Sequence, residues 1–284
     1  MSPACAILTY HSQNIAGQST ADNDHVALAQ DLDAIHRAGL RIISISGLLD
    51  ALDNEDTNAI AGTVCLSFDD GCDFDVRDIE YPGHGNQRSF LGIMQDFIER
   101  HGVKAQPGLH ATSFVIASRS ARETIDARSL FGQGWISDDW WHDANLGGLV
   151  SIGNHGWDHN HPDLYPDAGP DGSFHSIDTF DQCEKQVRHA AEIIEQLAGT
   201  WPDLFAYPFG ESSDYIRETF FPGNPETHRC RAAFGTDAGK VDINSNRWNL
   251  PRYVCGRDWK TPEGLLDLLN EQTDYCLLYT SDAA

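Results

Sequence analysis

From end to end the chain alternates short apolar runs with stretches of helical periodicity, and this alternation constrains its fold more than any other feature. Runs at 6–10, 41–45, 63–68, 111–117, 149–153, 204–207, 232–235 and 252–255 read as strands. The stretches 24–38, 90–101, 180–197 and 261–269 read as helices. In the first of these Val26, Leu28, Leu32 and Ile35 form the apolar stripe, while Gly102 and Gly199 close the second and third. Repeated strand–helix alternation forces parallel pairing. Over 284 residues it predicts an α/β fold, most economically a distorted parallel (β/α) barrel. Two regions break the rhythm, 71–89 and 160–178, both rich in Asp, Gly, Pro and His. Loops of that length are usually functional or disordered.

No repeat or low-complexity linker divides the chain, so residues 1–275 are expected to form one catalytic domain, truncated at its C-terminus. The closing segment Cys276-Leu277-Leu278-Tyr279-Thr280-Ser281-Asp282-Ala283-Ala284 reads as the translation of a transposase sequencing adapter. Residues 276–284 are therefore expected to be a scar and take no part in the fold reading.

Charge narrows the function classes. Lys+Arg number 19 against 43 Asp+Glu, a net charge of −24. A field of that sign repels phosphate backbones and anionic lipid, so neither nucleic acid nor a membrane surface is expected as a partner. No run approaches the ~20 apolar residues of a membrane span. Met1-Ser2-Pro3-Ala4-Cys5 carries no basic segment and no long apolar core, so the chain as written is expected in the cytoplasm, or outside it if residues precede Met1. The 7 Cys, at 5, 65, 72, 183, 230, 255 and 276, form no Cys-x-x-Cys pair and fit small core residues in a reducing compartment.

Three segments carry candidate chemistry. The strand at 63–68 runs into Asp69-Asp70-Gly71, placing two carboxylates at the C-terminal end of a buried parallel strand, where barrel enzymes hold their catalytic groups. Adjacent carboxylates repel unless they share a cation or a proton, although an Asp-Gly turn is also ordinary loop chemistry. The strand at 149–153 runs into Asn154-His155-Gly156-Trp157-Asp158-His159-Asn160-His161. One helical turn would put His155 and His159 on one face, and two imidazoles with one carboxylate suit a catalytic Zn²⁺ with open positions. The third segment, Phe205-Ala206-Tyr207-Pro208-Phe209-Gly210-Glu211, ends a strand in a turn that would shape a pocket wall.

In order and spacing these segments resemble the polysaccharide deacetylases of carbohydrate esterase family four, the NodB-homology fold. Ser67-Phe68-Asp69-Asp70 is similar to the family's Thr-Phe-Asp-Asp, His155 to His159 to its two-histidine motif, and Pro208-Phe209-Gly210 to its Arg-x-Pro-Phe/Tyr-Gly. The resemblance implies that Asp69 is the general base. It implies that Asp70, His155 and His159 hold one divalent metal, Zn²⁺ first and Co²⁺ or Ni²⁺ as substitutes, and that Pro208, Phe209 and Gly210 line the groove. The implied activity is removal of acetyl groups from N-acetylated amino sugars of a polysaccharide or oligosaccharide. Two departures stand out. Ala206 replaces the third-motif arginine, for which Arg252 is a substitute from a later strand. The family's C-terminal Leu-x-His is missing, and Ile7-Leu8-Thr9-Tyr10-His11 resembles it in the permuted branch of poly-N-acetylglucosamine de-N-acetylases. That branch makes His11 the general acid, with His161 in reserve.

Trp135, Trp140, Trp141 and Trp157 crowd the approach to the histidines and could stack on sugar rings or fill core, with Trp157 and Arg252 taken as substrate contacts. Asp258 reads as the N-cap of the last helix. Two rival readings stay open: an amidohydrolase of small cyclic amides or ureides on the same barrel, and an inactive carbohydrate-binding barrel, which Ala206 favours.

Overall fold

The computed structural model describes residues 3–165 and 173–270. The adapter-like segment 276–284 lies outside the described residues.

Nine strands form one curled sheet. They are β1 (Cys5–Tyr10), β2 (Arg41–Ile42), β3 (Thr63–Phe68), β6 (Ala111–Val115), β7 (Val150–Asn154), β8 (Leu204–Ala206), β9 (Ala232–Phe234), β10 (Lys240–Val241) and β11 (Tyr253–Val254). Two more, β4 (Ile79–Tyr81) and β5 (Gly85–Gln87), make a separate antiparallel hairpin inside the long loop at 71–89. The order is β10-β1-β3-β6-β7-β8-β9, with β2 beside β3 and β11 beside β1. All pairings in this sheet are parallel except β10 against β1. The expected parallel barrel is thus present in distorted form. Its two ends are joined by the segment 250–254, where Leu250 bridges to Phe234 of β9 and Tyr253 pairs with Leu8 of β1.

Because side chains alternate along a strand, β1 and β3 each feed two cores. Ala6, Leu8 and Tyr10 join Val64, Leu66 and Phe68 under the helices Asp24–Arg37 and Phe90–His101. Cys5, Ile7 and Cys65 face the other way, onto Phe114, Ala206 and Phe234. The first helix starts where the Asn23 side chain accepts the N–H groups of His25 and Val26. The second starts at Ser89 and stops at Gly102, whose φ of 83° only glycine adopts without strain.

Three differences from the sequence expectation have local causes. The run at 41–45 pairs only over Arg41–Ile42, because Ser44 accepts the Gly47 N–H at 3.0 Å and starts a helix, Ile45–Asp53. The helix Arg119–Ser129 was hidden because its inner face carries Arg122 and Asp126 beside Ala121 and Ile125. The last helix, Pro262–Asn270, is capped by Thr261, whose Oγ1 accepts the Gly264 N–H; Asp258 instead accepts the Val254 N–H. No helix among the described residues is long and apolar enough to cross a membrane.

The long helix at 180–198 contains a π-turn, Glu184–His189. Such a turn frees backbone carbonyls from the helix ladder. Here Asn154, at the end of β7, donates its Nδ2–H to the Val187 carbonyl at 2.8 Å. Gln186, in the same turn, accepts the Trp157 N–H and donates to Asp158 Oδ1. The bulge therefore grips the loop that carries the paired histidines.

Candidate active site

Sheet register brings the chemistry to one rim. Tyr10 pairs with Phe68, so His11 and Asp69 leave β1 and β3 side by side. Val115 pairs with Asn154, and the next residue, His155, donates its N–H to the Val115 carbonyl at 2.9 Å. These strand ends surround a cavity of about 300 Å³ lined by His11, Asp69, Asp70, His155, His159 and Phe209, among others.

Asp70, His155 and His159 converge, with their ligand atoms all within 4.8 Å of one another. Asp70 Oδ1 lies 3.4 Å from His155 Nε2 and 3.3 Å from His159 Nε2. Donors about 2.1 Å from a tetrahedral ion are separated from each other by roughly 3.4 Å, so the spacing fits Zn²⁺-like coordination. His155 Nδ1 lies 2.9 Å from the Ala206 carbonyl, which can only accept; Nδ1 therefore carries a proton, and Nε2 is the nitrogen turned to Asp70. Such a group is held together by a cation, a proton on Nε2 or a metal ion shared by all three side chains. The donor set and its spacing fit a divalent metal. The other carboxylate oxygen, Asp70 Oδ2, accepts a short hydrogen bond from Gln13 Nε2.

The histidines meet through a loop and not through the helical turn expected of their spacing. Residues 155–160 are irregular, and His159 and Asn160 hold φ values of 61° and 47°. Asp70 itself sits at φ 76°. Left-handed backbone at non-glycine residues is costly and persists where the surroundings dictate it. Asp158 anchors the histidine loop by accepting from Tyr165, Lys185 and Gln186.

Asp69 is buried and bonded by Arg252, which donates from Nη1 to Oδ1 and from Nη2 to Oδ2, both at 2.8 Å. Burial alone would push the Asp69 carboxyl up; the charges of Arg252 and His155 outweigh it and hold the carboxyl below its ordinary value. Arg252 has no exposed surface and also bonds the Gly235 carbonyl and Ser67 Oγ. It stands behind the carboxylate, where it has no access to a substrate, contrary to its expected place as a groove contact.

His11 lines the cavity, and its backbone N–H donates to Asp24 Oδ2 at 2.8 Å. Its Nδ1 is buried without a hydrogen-bond partner, so that nitrogen caps nothing. His161 lines the same cavity. Of the third motif, Pro208 is buried, while Phe209 is 46% exposed and meets the His159 ring edge-on at 4.4 Å. A Cβ on Gly210 would fall 1.9 Å from Thr236 Oγ1, so the wall can close there only with glycine. The tryptophans are placed differently from the expectation. Trp140 and Trp141 are core, Trp135 stacks on Tyr81, and Trp157 stacks on His189 at 4.5 Å, away from the cavity-lining residues.

Sequence reasoning missed Gln13 and Asp75. Asp75 lies buried beneath the site, accepting from Ser12 Oγ and Ser113 Oγ, each at 2.6 Å. Burial pushes its carboxyl up to about 7. Neither residue belongs to a motif; each is brought in by loop geometry.

A family model described as polysaccharide deacetylase matches residues 56–220, a span that holds Asp69, Asp70, His155 and His159 and leaves out His11 and Arg252. No curated protein sequence matches the chain. Its fold is similar to that of the Streptococcus pyogenes deacetylase PplD solved with acetate, at 17% identity and a TM-score of 0.65, covering 95% of this chain and 100% of that one. IcaB from Ammonifex degensii gives 16% identity and a TM-score of 0.62 over 95% and 98% of the two chains. A de-N-acetylase from Aggregatibacter actinomycetemcomitans gives 13% and 0.62 over 93% and 99%.

Proposed function

Because the chain belongs to the polysaccharide deacetylase family, we propose that it is a metal-dependent hydrolase that removes the acetyl group from N-acetylated amino sugars of a polysaccharide or oligosaccharide. The observation that carries this reading is the convergence of Asp70, His155 and His159 beside an arginine-held Asp69 in one cavity. A divalent ion held by those three residues, Zn²⁺ first and Co²⁺ or Ni²⁺ as substitutes, would polarise the acyl oxygen and acidify a bound water.

The chain's own residues do the rest. Asp69 takes the proton from the attacking water, and Arg252 keeps that carboxylate ionised and aimed. His11, on the neighbouring strand end, donates a proton to the leaving nitrogen. A C–O bond to water's oxygen forms, the C–N bond breaks, and acetate and a free amine result. No side chain forms an acyl intermediate. His11 on the N-terminal strand supports the permuted de-N-acetylase branch, and a similar fold is that of a protein described as a de-N-acetylase.

Arg252 also bears on the inactive-barrel reading. The cation absent at Ala206 is supplied from 250–254, and the Ala206 carbonyl has its own task at His155. The test is to incubate the Zn²⁺-loaded protein with chitooligosaccharide, acetylated xylan and allantoin in parallel. Free amine and acetate from the first substrate are the expected result. Release from xylan alone would make it an O-deacetylase, and ammonia or ring opening from allantoin an amidohydrolase. Binding of sugar without release of any product would make it an inactive barrel.

A further inference from the structure

The cavity has two unlike walls. On the β1, β9 and β11 side it presents His11, Gln13, Thr236 and Arg257, with Val254 the one aliphatic side chain among them. On the β6 side it presents Ile116, Ile125, Leu130 and Ile136, with Cys72 beside them. The donors of the apolar side are already engaged, since Ser129 Oγ donates to Asp163 and the Cys72 thiol donates to Gln13 Oε1, which leaves the rim residue Ser129 as an acceptor and none on the four aliphatic side chains. A sugar hydroxyl pressed against Ile116, Ile125, Leu130 and Ile136 would go unpaired, which costs binding.

This wall is built and does not depend on a ligand to form it. Asp126 accepts the N–H groups of Gly134 and Trp135 at 2.8 and 2.9 Å, Arg122 donates to the Ile136 carbonyl at 2.9 Å, and the Asp73 N–H bonds the Trp135 carbonyl at 2.8 Å. These bonds fix the turn at 130–136 that carries Leu130 and Ile136. The four aliphatic side chains are each 6% exposed or less.

We propose that the site accepts an N-acyl chain longer than acetyl, seated on Ile116, Ile125, Leu130 and Ile136. The orientation follows from the chemistry and rests on the deacylase reading above. His11 protonates the leaving nitrogen, so the sugar carrying that nitrogen lies on the polar side, and the acyl chain across the scissile bond points to the apolar side. An acetyl methyl fills little of a cavity of about 300 Å³. Water hydrolyses the longer amide as it does acetyl, giving a fatty carboxylate and the free amine with no further reactant.

The test is a series of N-acyl glucosamines, from acetyl through butyryl to hexanoyl, assayed as free amine with the Zn²⁺-loaded protein. Burial of each methylene should raise kcat/KM roughly fourfold until the wall is covered. A flat or falling series overturns the proposal. In parallel, straight-chain alkyl hydroxamates of the same lengths are bound to the loaded protein and followed by calorimetry. Affinity that climbs with length while no amide is cleaved keeps the apolar subsite and removes the deacylase reading. Cleavage of the acetyl sugar with affinity flat in length, or with no hydroxamate bound, removes the subsite and keeps the deacylase. Ile125→Phe and, separately, Leu130→Phe should lower the hexanoyl-to-acetyl ratio tenfold or more; an unchanged ratio in both folded variants also overturns it.

Discussion

Arg252 and Asp69, 183 residues apart in sequence, face each other through two parallel N–H···O bonds of 2.8 Å with almost no exposed surface on either side chain. The fork fixes the carboxylate in plane and in charge, which a lysine at the same place could not do. The pair occupies the inner face of the barrel, where Arg252 also lies 5.4 Å from the centre of the Phe114 ring.

Removing one partner of this pair is expected to cost more than removing both. Arg252→Met leaves a buried carboxylate uncompensated and should destabilise the fold by about 3–5 kcal/mol. Adding Asp69→Asn to it should restore part of that loss. Urea denaturation of the two single variants and the double variant measures the coupling; equal and additive losses would mean that the pair contributes nothing as a pair.

Asp69→Asn alone should lower turnover of an N-acetyl substrate by about a hundredfold or more, because the proton acceptor is lost. Bound metal, read by elemental analysis, should stay at the level of the unaltered protein, since Asp70, His155 and His159 are intact. Activity retained at full metal content would take Asp69 out of the mechanism.

His159→Ala should differ in its metal content. One of three ligands disappears, so metal content falls and activity falls with it. Chelation of the unaltered protein should abolish activity, and added Zn²⁺ or Co²⁺ should restore it. Full activity in the presence of chelator would exclude the metal reading.

His11→Ala separates the general acid from a structural histidine. An amide's leaving nitrogen needs a proton; the alkoxide of an ester needs it much less. The loss should therefore be about 10²–10⁴-fold on an N-acetyl sugar and smaller on an activated acetyl ester. The alkaline limb of the pH–rate profile should disappear as well. Equal losses on both substrates with both limbs intact would move the acid to His161.

A stability prediction concerns Asp31, whose Oδ2 accepts from Tyr10 and from Trp259 Nε1 while Oδ1 has no partner. Burial pushes its carboxyl from 3.8 up to about 7, against the opposing pull of those two hydrogen bonds. A carboxyl raised on folding binds its proton more tightly in the native state. Its contribution is therefore fully present below about pH 4, falls as pH rises, and is lost by about pH 7. Asn at this position keeps the acceptor and never ionises. Asp31→Asn should raise Tm at pH 8 relative to the unaltered protein by more than it does at pH 5; a pH-independent difference would contradict the assignment.

Strand–helix alternation by itself determined the class of fold, because hydrophobic periodicity is a local property that each element carries in its own residues. For the same reason the strand ends bearing Asp69-Asp70 and His155 were legible, as was the helix stop at Gly102. What the tertiary structure decided was every relationship that crosses the sheet. The bridge of 250–254 between β9 and β1 turns Arg252 inward onto Asp69; it is set by register over long sequence separation, and no local pattern encodes it. A strained loop, held by Gln186 from a π-turn, brings His159 to Asp70 where a regular helical turn was expected. Trp157, grouped with the site by sequence proximity, instead packs on His189, because its N–H is held by Gln186 Oε1 of the π-turn, which draws this part of the irregular loop onto that helix.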